Sequence, residues 1–597
     1  MKRILLFLVL CLGTLTLQGQ GFQWLQNGGG TVSLSGASYY DQEQVIDIAT
    51  DSQRNVYVVS VVSMLNAQVS GLPITTYEVN PNDTDFVIAS YSCDGTYRWH
   101  KVFGGGGSDF PAGIEVDSQD NVYVVGYFEE CQEPISDPNF AIPQIGGTSG
   151  IDYTSTNSPT ACQRAFMAKF SSNGIFQWIH YTHAPLAGTP FTIHPYMVRN
   201  FYMVNDVIHW ILTVPPGTYE NGAFSNTNTN LPFLYYVLQY DTSGNFISAT
   251  PFDLELSNYT SDEMRWYRNP YNGYYYAIQR VNSSSNTITI TAGSIPLNPN
   301  PSKIICFNAL GQYQWSRDVS GTTDFELNSV DFDSSNNVYI SGLTSTFTTT
   351  SFLGWNASNL GMGYTAFVMK CNPTVTSYNW VSYYAPANIQ YPSASIMYTP
   401  NEIYYIGQLS ASPFVWGNQT ITGPGPNNGF DPLLVRLDPA TGACTSMHRI
   451  VGNNGSNDRF TAMELDNAGD LILGGAMGYA LTDSNNVTHY AVGGDTDFFV
   501  TKFASQACQS LGTTLFEETS IRLYPNPSKG MVTLDYQLET AAQLQIIDVS
   551  GRVVLERELA AAETSLQFDT RAMASGVYAV QVLGSDGGVW RSKLVVE

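Results

Sequence analysis

The residues that could do chemistry in this chain come in a few short sets. His180, His183 and His194 fall within one stretch and carry the imidazoles that a transition metal takes. No C-x-x-C and no His/Cys cluster at ligand spacing accompanies them, so loop histidines held by hydrogen bonds are the expectation and no metal centre is. Asp51, Asp117 and Asp333 recur in D-S-x-x-N turns. One carboxylate per turn falls short of the six or more oxygens that calcium takes, and an Asp there caps its own turn through the backbone. The run Gly104–Gly107 lacks the Lys and Ser/Thr of a phosphate loop and reads as a turn. The segment MRWYRNPYNGYYYAIQR (Met264–Arg280) packs Trp266, Tyr267, Tyr271 and Tyr274 to Tyr276 together. Such a set suits sugar or peptide recognition, and alternate members equally suit a β-core. There is no G-x-S-x-G, H-E-x-x-H, P-loop or dinucleotide fingerprint. The expectation is no catalytic residue, no cofactor and no metal.

Positioning any of these residues is the work of a repeat. The unit IATDSQRNVYVVSVV (Ile48–Val62) returns at Ile114–Phe128, Val330–Ser345 and Met463–Gly478, with looser copies at Ile396–Ser410, Val204–Val214 and Asn269–Val281. Its anchors Tyr57, Tyr123, His209, Tyr275, Tyr339, Tyr404 and Leu471 are separated by 66, 86, 66, 64, 65 and 67 residues. A second unit of the type AFVMKC follows each copy, and a Trp-bearing unit such as GTYRWHKVFG follows six of them. Alternating apolar and polar residues between Asx-type turns predict four strands per period. Seven such periods predict an all-β, seven-bladed β-propeller.

The Trp-bearing unit is missing after Phe503, yet GFQWLQ stands alone near the N-terminus. Phe22–Gln26 is therefore expected to pair antiparallel with Phe498–Phe503 and to close the ring, removing an exposed edge. The repeated D-x-x-x-N-V-Y-V-x-G and G-x-x-x-W patterns resemble the seven-bladed propeller repeats of bacterial secreted proteins, over roughly Gly21 to Ser505. That resemblance implies a fold and not an activity. The long second interval contains an insertion near Glu129–Gln163, flanked by Cys131 and Cys162, a candidate disulfide.

Bulk composition agrees. The chain has 597 residues, long enough for a large repeat domain plus a smaller one. Its 50 Asp+Glu against 25 Lys+Arg argue against a nucleic-acid partner, which needs clustered cations. The start MKRILLFLVLCLGTLTLQGQ has a basic head and an apolar run of signal-peptide length, with cleavage near Gly19 or Gln20. Leu10 stands where lipoprotein processing wants a small residue before Cys11, which argues against lipidation. No later stretch reads as a transmembrane segment. Seven cysteines remain after cleavage, an odd number that leaves at least one unpaired.

Beyond Gln506–Ser520, a linker, the pattern changes to short alternating strands broken by P-N-P, S-G and D-G-G turns, predicting a small β-sandwich. YPNPSKG (Tyr524–Gly530), DVSGRVV (Asp548–Val554), ASGVYAVQV (Ala574–Val582) and KLVV (Lys593–Val596) resemble, in order and at the chain end, the type A C-terminal sorting domain of type IX secretion substrates. The match covers Ile521–Glu597 and carries the motif onto Tyr524, Pro525, Asn526, Pro527, Gly530, Asp548, Gly551, Arg552, Gly576, Tyr578 and Lys593. It implies Sec export to the periplasm, engagement by the type IX machinery, and passage to the medium or cell surface. The expected layout is signal peptide 1–20, propeller 21–505, linker 506–520 and sorting domain 521–597. The expected function is a secreted or cell-surface binding or scaffold protein whose extracellular ligand is a glycan or a protein. The alternative is a glycan-active hydrolase or lyase, which needs two carboxyl groups about 5–10 Å apart in an open mouth.

Overall fold

A computed structural model of the chain describes residues 20–31, 43–63, 65–77, 84–105, 109–129, 144–146, 163–181, 201–214, 217–227, 233–256, 264–279, 290–297, 302–320, 325–345, 351–356, 364–384, 395–409, 413–424, 429–452, 456–484, 486–493, 496–508, 521–536, 538, 541–548, 552–561, 563–584 and 589–596. Residues 1–19, Cys131, Cys162, His183, His194, Gly551 and residues 509–520 lie outside them. The chain divides into two compact units, Met1–Ala507 and Cys508–Glu597. Among the described residues all regular structure is β, apart from one 3-10 turn at Glu220–Gly222.

Among the described residues, seven antiparallel sheets of four or more strands build the first unit. Sheet 1 holds Val45–Thr50, Val56–Ser63, Thr84–Tyr91 and Tyr97–Gly104; sheet 2 holds Phe110–Val116, Val122–Glu129, Gln163–Phe170 and Phe176–Tyr181. Sheet 3 holds Phe201–Val204, Val207–Val214, Phe233–Asp241 and Phe246–Leu256; sheet 4 holds Met264–Arg268, Tyr275–Gln279, Lys303–Phe307 and Tyr313–Asp318. Sheet 5 holds Phe325–Phe332, Val338–Ser345, Tyr364–Cys371 and Tyr378–Tyr383; sheet 6 holds Ser395–Tyr398, Ile403–Leu409, Asp431–Leu437 and Cys444–Arg449. Sheet 7 takes Arg459–Leu465, Leu471–Met477 and Asp497–Ala504 from the end of the unit and Gly21–Gly29 from its beginning. There Phe22 pairs with Phe503 and Gln26 with Val500, as the orphan Trp-bearing unit requires.

Burial explains the hydropathy pattern. Second strands such as Val56–Ser63 and Val338–Ser345 are buried along their whole length, which is why they read as near-continuous apolar runs. Fourth strands such as Tyr313–Asp318 are part-exposed and correspondingly polar.

The rungs of the sheets repeat. Tyr57 opposes Ser90, Tyr123 opposes Lys169, His209 opposes Gln239, Tyr339 opposes Lys370 and Tyr404 opposes Arg436. Each of these third-strand residues sits beside the same register shift toward the fourth strand. The equivalent rungs in sheets 4 and 7 carry Tyr276 opposite Cys306 and Ile472 opposite Lys502. Tyr275 and Leu471, the sequence anchors, are therefore one residue early; in an all-apolar run spacing alone does not locate the pleat.

The turn aspartates are structural nodes. Asp117 accepts the backbone N–H groups of Gln119 and Asn121 at 2.9 and 2.8 Å, the Asn121 amide at 2.9 Å and the Tyr123 hydroxyl at 2.9 Å. Asp51 repeats this with Gln53, Asn55 and Tyr57, and Asp333 with Ser335, Asn337 and Tyr339. Lys169 lies 3.6 Å from Asp117 and Lys370 lies 3.4 Å from Asp333. Burial raises the Asp117 carboxyl, but the hydrogen bonds from Asn121 and Tyr123 outweigh it and hold the group below its ordinary value. The D-S-x-x-N-V-Y repeat thus encodes one polar joint, to which the third strand adds a Lys at Asp117 and Asp333 and a Ser at Asp51.

The Trp-bearing strands join neighbouring sheets. Trp99 Nε1 donates to the Ser172 carbonyl at 2.9 Å, linking sheet 1 to sheet 2, and Trp380 Nε1 donates to Pro439 at 3.3 Å, linking sheet 5 to sheet 6. The glycine of each receiving turn has positive φ and no room for a side chain: a Cβ at Gly174 would lie 2.6 Å from the Trp99 ring. First strands are stitched too. Thr50 Oγ1 donates to Leu465, Ile114 N–H to Asp47, Tyr202 Oη to Trp266, Tyr267 Oη to Asn328 and Tyr398 N–H to Asp331.

The second unit contains a three-stranded sheet, Ile521–Tyr524, Met531–Tyr536 and Ser565–Asp569, and a four-stranded one, Val553–Leu559, Ala542–Ile547, Gly576–Gly584 and Val589–Val596. Alternate residues of both, including Val532, Leu534, Leu544, Ile546, Val580, Val582 and Leu594, form one core.

Candidate functional site

First strands of sheets 1, 3, 4, 5, 6 and 7 converge on one cavity of about 300 Å³. Ile46 and Asp47, Tyr202, Tyr267 and Arg268, Ser329–Phe332, Ser395–Tyr398 and Thr461–Leu465 line it. The volume is at the small end of ligand sites and suits one or two rings. Tyrosines bring flat apolar faces with polar tips; Asp331, Asp47, Glu464 and Arg268 bring charge.

The two aspartates are tied to the backbone. Asp47 accepts its neighbour Ile48 N–H at 3.0 Å and Ile114 N–H of sheet 2 at 3.1 Å. Asp331 accepts Phe332 N–H at 2.8 Å and Tyr398 N–H of sheet 6 at 2.6 Å. Both oxygens of each carboxylate hold strand geometry, so neither group is placed as a mobile proton carrier. Tyr398 stacks on Tyr339, with centroids 4.9 Å apart. Burial, helped by Asp333 and Asp331, pushes the Tyr398 phenol up, so the rim presents neutral phenols to anything entering.

The aromatic stretch Met264–Arg280 divides between core and cavity. Trp266, Tyr275 and Tyr276 are buried between sheets, Tyr267 faces the cavity and Tyr271 is half-exposed. His180 is held at 3.1 Å by Glu220 and lies against Tyr240. Among the described residues no group of three or more His, Cys, Asp or Glu is arranged to hold a metal. His209, in the sequence only a repeat anchor, has its Nδ1 2.8 Å from the Tyr275 hydroxyl; burial, then Arg268, lower it to about 4. Cys93, for which the sequence suggested no pairing, is disulfide-bonded. Cys306, Cys371 and Cys444 are buried free thiols, and burial pushes them up to about 12, 12 and 11, which makes them poor nucleophiles.

In the second unit the four motif pieces are joints. Asn526 donates its side-chain amide to the Lys593 carbonyl and accepts Val595 N–H at 2.8 Å, fastening the P-N-P turn to the last strand. Asp548 accepts Arg552 N–H and Nε, each at 3.1 Å, in the hairpin between Ala542–Ile547 and Val553–Leu559. Tyr578 Oη donates to Ala574 at 2.7 Å, and Thr570 N–H donates to the Gly530 carbonyl at 2.9 Å. Tyr524, Gly576 and Lys593 are exposed at the strand ends and faces.

Residues 522–597 match the family described as a secretion system C-terminal sorting domain. No curated protein is similar in sequence to the chain. Solved structures similar to it include the polysaccharide lyase Uly1, at 10% identity over 82% of this chain and 98% of that one with a TM-score of 0.38. An exo-β-1,3-galactanase from Clostridium thermocellum matches at 10% identity over 65% and 77%, TM-score 0.24. A protein of unknown function from Bacteroides caccae matches at 11% identity over 54% and 89%, TM-score 0.22. No helix among the described residues is long and apolar enough to cross a membrane. The C-terminal domain is a type IX sorting domain, and it assigns the protein to export across the outer membrane, to the medium or the cell surface.

Proposed function

We propose that the chain is an exported binding or scaffold protein whose ligand seat is the cavity between the first strands. In this reading the seven sheets are blades of one ring, residues 21–505, and Gly21–Gly29 closes it. Residues 1–20 are a signal peptide, 506–520 a linker and 521–597 the sorting domain. The sorting role rests on Tyr524, Pro525, Asn526, Pro527, Gly530, Asp548, Gly551, Arg552, Gly576, Tyr578 and Lys593, and Cys131 and Cys162 bridge the insertion of the second blade. The ligand is a hydroxyl-rich unit of one or two rings, a terminal sugar of a surface glycan.

The observation that favours binding over hydrolysis is the state of the two aspartates among the three carboxylates at the cavity, Glu464 being the third. A glycosidase needs one carboxyl to give a proton and another to act as base or nucleophile. Asp47 and Asp331 spend both oxygens on backbone N–H groups of two sheets each. The test is a glycan-array screen with the full chain, followed by the same screen with Tyr398→Ala and Tyr267→Ala. Binding that both substitutions weaken supports the reading. Release of reducing sugar by the wild-type chain, or capture of surface proteins unaffected by either substitution, overturns it.

A further inference from the structure

Glu43 and Asp497 are buried carboxyl groups that meet beside the N-terminal strand. Both press against Gly29: a Cβ there would run into Asp497 Oδ1 and Glu43 Oε2 together. Glu43 accepts Gly30 N–H at 3.0 and 3.1 Å and also Ser63 N–H. Asp497 opens the third strand of sheet 7 and accepts Val492 N–H. Each carboxyl is thus fixed by backbone donors, and the two meet in the space that a side chain at position 29 would fill.

Among the described residues no cation pairs with either carboxyl. The charged group acting on Glu43 is Asp497. His489, in the hairpin that leads to Val492, is turned to Asp483 at 3.2 Å. Lys502, at the far end of the Asp497 strand, is held by Asp466 at 2.6 Å and Asp470 at 3.0 Å. Arg459 donates to Gln44, the neighbour of Glu43, at 3.0 Å and to the Asn457 carbonyl at 3.4 Å. The junction between sheets 6 and 7 makes the contrast: Asp431 and Asp458 likewise flank a glycine, Gly452, but there Arg449 pairs with Asp431. Two buried carboxylates without a cation cannot both stay ionised at this distance; one proton must replace the missing positive charge.

We propose that Glu43 and Asp497 form a proton-dependent latch on the N-terminal strand. With a proton shared between them, Gly21–Gly29 lies closed on Asp497–Ala504; with none, repulsion across Gly29 loosens the strand. Burial first, then Asp497, raises Glu43 well above its ordinary value, and burial raises Asp497 to about 6. For acids raised on folding, the closed form binds more protons than the open one. Its stability is therefore full below about pH 4 and falls as pH rises through the raised values.

The experiment is hydrogen exchange by mass spectrometry on the full chain, from about pH 5 to about pH 8, with intrinsic exchange corrected. Protection of peptides within residues 21–29 should fall about tenfold or more over that range, while third-strand peptides of sheets 2 and 5 change little. Asp497→Asn and Glu43→Gln should each flatten the profile to within about twofold. Wild-type protection that is constant with pH overturns the latch, whatever the variants do. So does an unchanged slope in Asp497→Asn, or full restoration at high pH by millimolar Ca²⁺, which would make the pair a cation site.

Discussion

Trp24 Nε1 donates a hydrogen bond to the Cys93 carbonyl at 3.1 Å, joining the N-terminal strand, which completes sheet 7, to the third-to-fourth turn of sheet 1. Trp99 to Ser172 and Trp380 to Pro439 are the same contact at two other junctions. The N-terminal strand therefore occupies a place the repeat already defines.

Removing that strand should matter more than its length suggests. Trp24 is 9% exposed and packs against Tyr91. Trp24→Ala is expected to cost about 3–5 kcal/mol, and Trp24→Phe, which loses mainly the hydrogen bond, about 1–2 kcal/mol. Deleting residues 21–29 should lower the melting temperature of the full chain further. A deletion that melts with the wild type would refute the closing role.

Glycines beneath the tryptophans should be harder to replace than other left-handed glycines. At Gly95, φ +85°, a Cβ would lie 2.6 Å from the Trp24 ring; at Gly469, φ +80°, it would meet nothing within 4 Å. Gly469→Ala should cost about 1 kcal/mol of backbone strain, whereas Gly95→Ala should add about 1–3 kcal/mol of overpacking. Equal losses in urea denaturation would mean that the Trp–Gly packing has no energetic weight.

Asp458 gives stability a pH dependence of known sign. Burial raises its carboxyl to about 6, with Asp431 adding to the shift. The folded state then holds a proton that the unfolded chain releases near pH 4, so stability falls as pH climbs from about 4 to 6 and is level above. The window corresponds to at most about 3 kcal/mol. Asp458→Asn should remove part of the slope in urea midpoints measured across it, and an unaltered slope would contradict the assignment.

The C-terminal unit should act as a separable address. A chain ending at residue 520 is expected to accumulate, folded, in the periplasm, and Asn526→Ala, which unfastens the P-N-P turn from Lys593 and Val595, should lower export severalfold. Fractionation of cells and medium decides this: truncated chain outside the cell in normal yield would overturn the sorting assignment.

Much of the fold was written in local pattern. The D-S-x-x-N-V-Y repeat specified its turn, its node and its strand because the hydrogen-bond donors to Asp117, namely Gln119, Asn121 and Tyr123, lie within six residues of it, Lys169 alone coming from afar. The missing Trp unit after Phe503 and its orphan at Phe22–Gln26 likewise predicted a long-range pairing, since a repeat makes distant residues equivalent. The sorting motifs were legible for the same reason: each is a short turn with its own chemistry.

Other features were decided by tertiary structure alone. Whether Tyr275 or Tyr276 shares the rung of Tyr57 depends on hydrogen-bond register, which an unbroken apolar run does not mark. That Tyr267 lines a cavity while Trp266 fills a core follows from which face of one short strand meets its neighbour. Asp47 and Asp331 became backbone clamps because neighbouring sheets meet, and Glu43 and Asp497 a pair because segments from opposite ends of the first unit come together. Sequence spacing carries no information on distances of that kind; burial and the Coulomb energy that follows from it are properties of the assembled sheets.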